Sequence, residues 1–178
     1  MKADAVRAIP RRNFLKLAGA AGACGLSQTG FAAAAKRVCL IVDPKNSTAA
    51  SVPTMRAIAQ LGEALGAKGV KHEIVRSAEA AQGAGLCIIV ANADSLLARG
   101  FPRGATSSAL ESLRMTPGRV GRVPGVLVSA SDPRGFVYAL LELAERVRYG
   151  DDPLKSLQLT NPIEEKPANE VRSVSRYF

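Results

Sequence analysis

Three aspartates stand where α/β proteins often keep their chemistry. Asp43 ends the apolar run "RVCLIVD", Asp94 follows "GLCIIVAN", and Asp132 follows "GVLVSAS". If those runs are parallel strands, the three carboxylates gather at one sheet edge, where open α/β sheets bind ligands. Asp43 and Asp94 also suit ordinary polar turns, so a ligand site and a pair of turns stand as alternative readings. Asp132 reads as a structural cap. Its carboxylate can accept the free amide protons of a first helical turn, and Pro133 at the first helical position has no amide proton to satisfy. Gly150 closes the same helix at its other end.

Other chemistry finds less support. His72 is the only histidine in the sequence, and no Cys/His spacing suits zinc, so no metal site is expected. A serine-histidine-aspartate triad would have to use His72, and the sequence contains no G-x-S-x-G elbow. Glu142 and Glu145 lie one helical turn apart. Glu142 pairs with Arg146 at i,i+4, the pattern of a solvated helix face. "GAAGACG" looks like a glycine-rich phosphate loop, but no strand precedes it and it lies in the N-terminal segment. No catalytic residue and no cofactor are therefore assigned.

That N-terminal segment, "IPRRNFLKLAGAAGACGLSQTGFAAAAKR", reads as an export signal. It resembles a twin-arginine translocation signal through Arg11, Arg12, Phe14, Leu15 and Lys16, with Pro10 where Ser or Thr is usual. The mildly apolar run from Leu17 to Leu26 is too short and too rich in Gly and Ala to span a bilayer stably. Small residues Ala33 to Ala35 offer a cleavage point. Residues 1–35 are thus expected to be removed in export to the periplasm or beyond, with the twin-arginine machinery as partner. Cys24 is a weak match to a lipid-attachment cysteine, since Ala21 stands where a bulkier aliphatic is preferred. Cys39 and Cys87 would remain in the mature chain. They read as small buried residues or, if their strands are neighbours, as a pair able to bridge.

Bulk composition narrows the classes. The chain has 178 residues and a formal charge of +9. The first 35 residues hold five basic side chains and one acid, so four of those nine charges belong to the signal. A remaining +5 spread along the chain does not point to nucleic acid. Aromatics make up 4% with no Trp, so the stacking platforms of single-stranded nucleic-acid binders and sugar clefts are poorly supplied.

The elements that must hold these residues follow from periodicity. Arg37 to Asp43 is a continuous apolar run, as in a strand buried on both faces. Met55, Ile58, Leu61 and Leu65 form a helical stripe, which Gly66 and Gly69 end. "KHEIVRS" alternates as a second strand, and Gly85 to Asn92 is another buried one. Ala109 to Arg119 fits either a strand or a short helix. Gly125 to Ser131 is a strand, and the helix after Asp132 buries Phe136, Val137, Leu140, Leu141, Ala144 and Val147. Residues 151–178 read as an extended, proline-containing connector with a last strand in "EVRSVSRYF". The order predicts an α/β (α+β) fold, a small mixed sheet with about two helices packed on it.

"RVCLIVD", "GLCIIVAN" and above all "GVLVSASDPRGFVYALLELAERVRYG" resemble the N-terminal α/β accessory domain of certain bacterial glycoside hydrolases. This is the type that precedes the catalytic barrel of beta-hexosaminidases and alpha-glucuronidases. The match runs through the Asp132–Gly135 turn, Tyr138, the Leu141 to Glu145 run, and a proline linker leading to an Arg-bearing strand, "KPANEVRSVSRYF". The resemblance covers about Lys36 to Phe178. It implies an accessory domain at 36–150 and a linker at 151–178 leading towards a barrel beyond this chain. It further implies that the domain packs on that barrel and does no chemistry, the working carboxylates lying downstream. The alternative expectation is a stand-alone exported binding module using the loops after Asp43, Asn92 and Ser131.

Overall fold

The structure, a computed structural model, describes residues 37–104 and 106–168. Arg11, Arg12, Phe14, Leu15 and Lys16 of the export motif, Cys24, and the strand read in "EVRSVSRYF" lie outside the described residues. The elements are β1 (Arg37–Val42), α1 (Val52–Ala67), β2 (Lys71–Val75), β3 (Leu86–Val90), β4 (Leu113–Val120), β5 (Val123–Ala130), α2 (Pro133–Tyr149), α3 (Pro153–Leu157) and β6 (Ile163–Glu165). The strands form one six-stranded sheet in the order β2-β1-β3-β5-β4-β6. β2, β1, β3 and β5 are mutually parallel, and β4 runs antiparallel to β5 and β6. The fold is α/β, with a mixed sheet and helices packed on it.

Alternation along the central strands explains why they read as unbroken apolar runs. Val38, Leu40 and Val42 of β1 and Leu86, Ile88 and Val90 of β3 face α1 and α2. Cys39, Ile41, Cys87 and Ile89 face the opposite side, where Ala81, Ala98 and Phe101 cover them. A parallel strand covered on both faces has no solvent side, so polar residues have no place in it. Two long helices cover one face, while short 3-10 turns at Glu79–Ala81 and Leu96–Ala98 help to cover the other.

α1 buries Ile58, Leu61 and Leu65 as the stripe predicts, with Met55 partly buried at its edge. The helix runs through Gly66 to Ala67, and the turn is made by Gly69 at φ +70. There the Val70 amide donates to Leu65 O and the Gly69 amide to Gly66 O, each at 2.9 Å. These two bonds make a Schellman stop, which needs one left-handed residue rather than two glycines. Gly62 is buried on the same helix, beneath the His72 ring, whose Nε2 lies 2.6 Å from where a Cβ would stand. The lone histidine is a packing residue against a glycine.

α2 buries Phe136, Leu140, Ala144 and Val147, joined by Ala139 and Leu143, while Val137 and Leu141 are only half-buried. Its N-terminus sits close on the sheet because Gly135 has no side chain. A Cβ there would come 2.5 Å from Ser112 O and 2.9 Å from Ala130 Cβ.

The open reading of Ala109 to Arg119 resolves as strand β4. Val120 and Val123 are register partners across a Gly121-Arg122 turn, with Gly121 at φ +58. Glycine at the first position of a two-residue hairpin loop provides that backbone without strain. Pro117 and Gly118 weaken the strand signal in the sequence. The structure accommodates them because β6 covers β4 only at Leu113 to Met115. Beyond Met115 the outer edge of β4 has no β6 partner, and a missing amide donor there breaks no ladder bond on that side.

The connector after Gly150 is not wholly extended. Asp152 caps α3, its carboxylate accepting from the amides of Leu154 and Lys155. This repeats, on a one-turn helix, the Asp-Pro start of α2. β6 then adds the last described strand to the sheet.

Candidate functional site

β1 and β3 are neighbours, yet their following segments leave on opposite faces. β1 leads into α1 on the helix face, and β3 leads into the 96–98 turn on the other. Diverging loops open a crevice at the strand ends, the usual ligand position in parallel sheets. A cleft of about 460 Å³ occupies this place. Asp43, Lys45, Asn46, Arg76, Asn92 and Asp94 are among its lining residues, with Leu96 and Leu97 as an apolar wall.

The floor of the cleft is tied together by its own side chains. Asp43 is 9% exposed. One of its oxygens accepts the Lys45 amide at 2.9 Å, and the other accepts the Ser95 hydroxyl at 2.5 Å. The Asn46 amide donates to Asn92 Oδ1 at 2.8 Å, joining the two loops. Asn46 Oδ1 in turn accepts the amides of Thr48 and Ala49, forming an Asx turn that ends the loop. Asp43 therefore fixes the β1 loop and the β3 loop to each other. Asp94 is exposed, with no hydrogen bond or ion pair among the described residues. The side chains of Lys45 and Arg76 likewise make none among the described residues.

Asp132 lies elsewhere. One carboxylate oxygen accepts the Gly135 amide at 2.9 Å, as an N-cap, and the other accepts the Glu111 amide at 2.8 Å. Glu111 is the one non-glycine residue with positive φ (62°) among those described. The strand-end carboxylates thus divide. Asp43 and Asp94 share a cleft, and Asp132 holds the start of α2 to the turn before β4. Gly150 follows α2, its amide donating to Arg146 O at 2.9 Å.

Cys39 and Cys87 are register partners on adjacent strands and face the same layer. Both are buried free thiols. Cys39 Sγ turns away from its neighbour strand β3 to donate to Glu73 Oε1 at 3.2 Å. Burial, reinforced by that hydrogen bond, pushes the Cys39 thiol up to about 12, and burial pushes Cys87 up to about 11. Such thiols stay protonated and are poor nucleophiles. Among the described residues, no group of three or more His, Cys, Asp or Glu is placed to hold a metal ion. No described helix is long and apolar enough to cross a membrane.

The sequence signal for Asp43 and Asp94 is their position after apolar runs. Lys45, Arg76 and the Asn46–Asn92 bridge have no such signal, because nothing local marks them. Arg76 reaches the cleft from the end of β2, which lies beyond β1 in the sheet, so only the strand order reveals it.

No family model matches the chain, and no curated protein matches it. Among solved structures the chain is similar to one described as a GH138 enzyme targeting pectin rhamnogalacturonan II, at 16% identity and a TM-score of 0.49. That likeness covers 74% of this chain and 15% of that one. It is a weak likeness of chain path.

Proposed function

We propose that residues 36–150 are a non-catalytic accessory domain of an exported glycoside hydrolase, whose catalytic (β/α) barrel is encoded beyond residue 178. The observation that carries this reading is how the signature "SASDPRGFVYALLELAERVRYG" is used. Its one aspartate gives both oxygens to backbone amides, and its helix buries one face on the sheet. Glu142 and Glu145 pair with Arg146 and Arg148 on the exposed face. Most glycoside hydrolases cleave between two carboxylates set across the glycosidic bond, and the motif commits its own to architecture. The resemblance of that motif to accessory domains supplies the glycoside-hydrolase context, and the twin-arginine motif supplies export.

Sequencing the DNA beyond the Phe178 codon tests the reading. A continuing frame that encodes a barrel supports it. A stop at that point, with no barrel encoded nearby, sinks it. A second reading, a stand-alone exported binding module, is favoured by the cleft between the β1 and β3 loops.

A further inference from the structure

We infer that the cleft at the ends of β1 and β3 is a binding site for a small aliphatic carboxylate. The inference deepens the binding-module reading and holds equally if the domain is an accessory one.

Much of the polar lining of the cleft is already spent on the protein itself. Asp43 is nearly buried and accepts from Ser95 and from the Lys45 amide, so its carboxylate is held by the loops themselves. Asn46, another lining residue, gives its Oδ1 to the Thr48 and Ala49 amides behind it. Among the described residues no aromatic ring lines the cleft, so these supply no stacking surface of the kind a sugar face favours. What remains is two cationic side chains, Lys45 and Arg76, and the carboxylate of Asp94, each without partners among the described residues, and an apolar wall in which Leu96 is 66% exposed. A guanidinium and an ammonium recognise a carboxylate by charge-assisted hydrogen bonds. An exposed leucine beside them gains by covering an aliphatic body. Asp94, on the same rim, disfavours a multiply charged anion and so narrows the class to monocarboxylates. The Asn46–Asn92 and Asp43–Ser95 bonds hold both loops in place, so little ordering has to accompany binding.

The test is amide chemical-shift titration of the expressed protein with 4-methylpentanoate, and in parallel with its neutral analogue 4-methylpentanol and with acetate. The expected result is a saturable shift confined to residues 43–46, 76 and 92–97 for 4-methylpentanoate. The alcohol and acetate should each bind about tenfold or more weakly, a difference of about 1.4 kcal/mol. Lys45→Ala/Arg76→Ala should lose the response to 4-methylpentanoate while its spectrum elsewhere stays that of the parent. An unsaturated or scattered response, equal binding of the alcohol, or an undiminished response in the double variant would each overturn the proposal. None of these outcomes bears on the reading frame beyond residue 178, so the two readings fail separately.

Discussion

A single carboxylate does two jobs at Asp132, and only one is visible in the sequence. Asp-Pro before an amphipathic run announces an N-cap, because helix starts leave amide protons unpaired. The second contact, to the Glu111 amide, depends on β4 lying antiparallel beside β5, which no local pattern shows. Asp132→Ala should therefore destabilise the fold by about 1–2 kcal/mol, the upper part of the usual capping range, measured by urea denaturation. Asp132→Asn should recover part of that loss, since its amide oxygen can still cap. An unchanged midpoint for the alanine variant would remove the cap assignment. The thiols give a pH dependence with a definite sign. Both are raised above their ordinary value of 9.0, to about 12 for Cys39 and about 11 for Cys87. The unfolded chain then releases their protons at lower pH than the folded one does. Their contribution is complete below pH 9 and is lost as pH climbs towards 11–12. A Cys39→Ala/Cys87→Ala variant should lose less stability than the parent between pH 8 and pH 10.5. Iodoacetamide at pH 8 should label Cys39 and Cys87 of the parent only as fast as the domain unfolds.

At the scale of elements, amphipathic periodicity is a good guide wherever an element packs by one face or is buried on two. α1, α2, β1, β3 and β5 all fall near their expected places. β4 is ambiguous in the sequence because Pro117 and Gly118 interrupt it, and its hairpin with β5 rests on Gly121-Arg122, a weaker turn signal than Asn-Gly. α3 is hidden there although Asp152-Pro153 repeats the start of α2, since one turn of helix leaves no periodicity to detect. The pairing of Gly62 with His72 belongs to this scale too, because it joins α1 to β2. Gly62→Ala alone brings its new methyl against the His72 ring. In a His72→Ala background that obstacle is gone, and the same change should stabilise by roughly 0.5–1 kcal/mol, the helix preference of alanine over glycine. A double-mutant cycle by thermal unfolding measures the difference, and additive effects would show that the ring does not hold that space.

For the whole molecule, sheet order decides what the sequence leaves open. The α/β class follows from pattern, but the cleft exists because β3 returns to the far side of β1 from β2. Export is the other proposal at this scale. If the Arg11-Arg12 motif directs it, Arg11→Lys/Arg12→Lys should leave the precursor in the cytoplasm, as seen by fractionation and blotting, with an unaltered folded domain. Efficient export of that variant would point to another route. One further consequence comes from Pro117. An uncovered strand edge is a template on which a second molecule can extend the sheet. Past Met115, β4 meets no β6 residue, and further on the Arg119 amide is taken by Gly100 O; in the short open stretch between them proline withholds a donor just where such an intruder would seek it. That one ring therefore works against fibrous self-association. Pro117→Val should add an amide donor to that open stretch, and light scattering of concentrated protein should rise with time for the variant but stay flat for the parent.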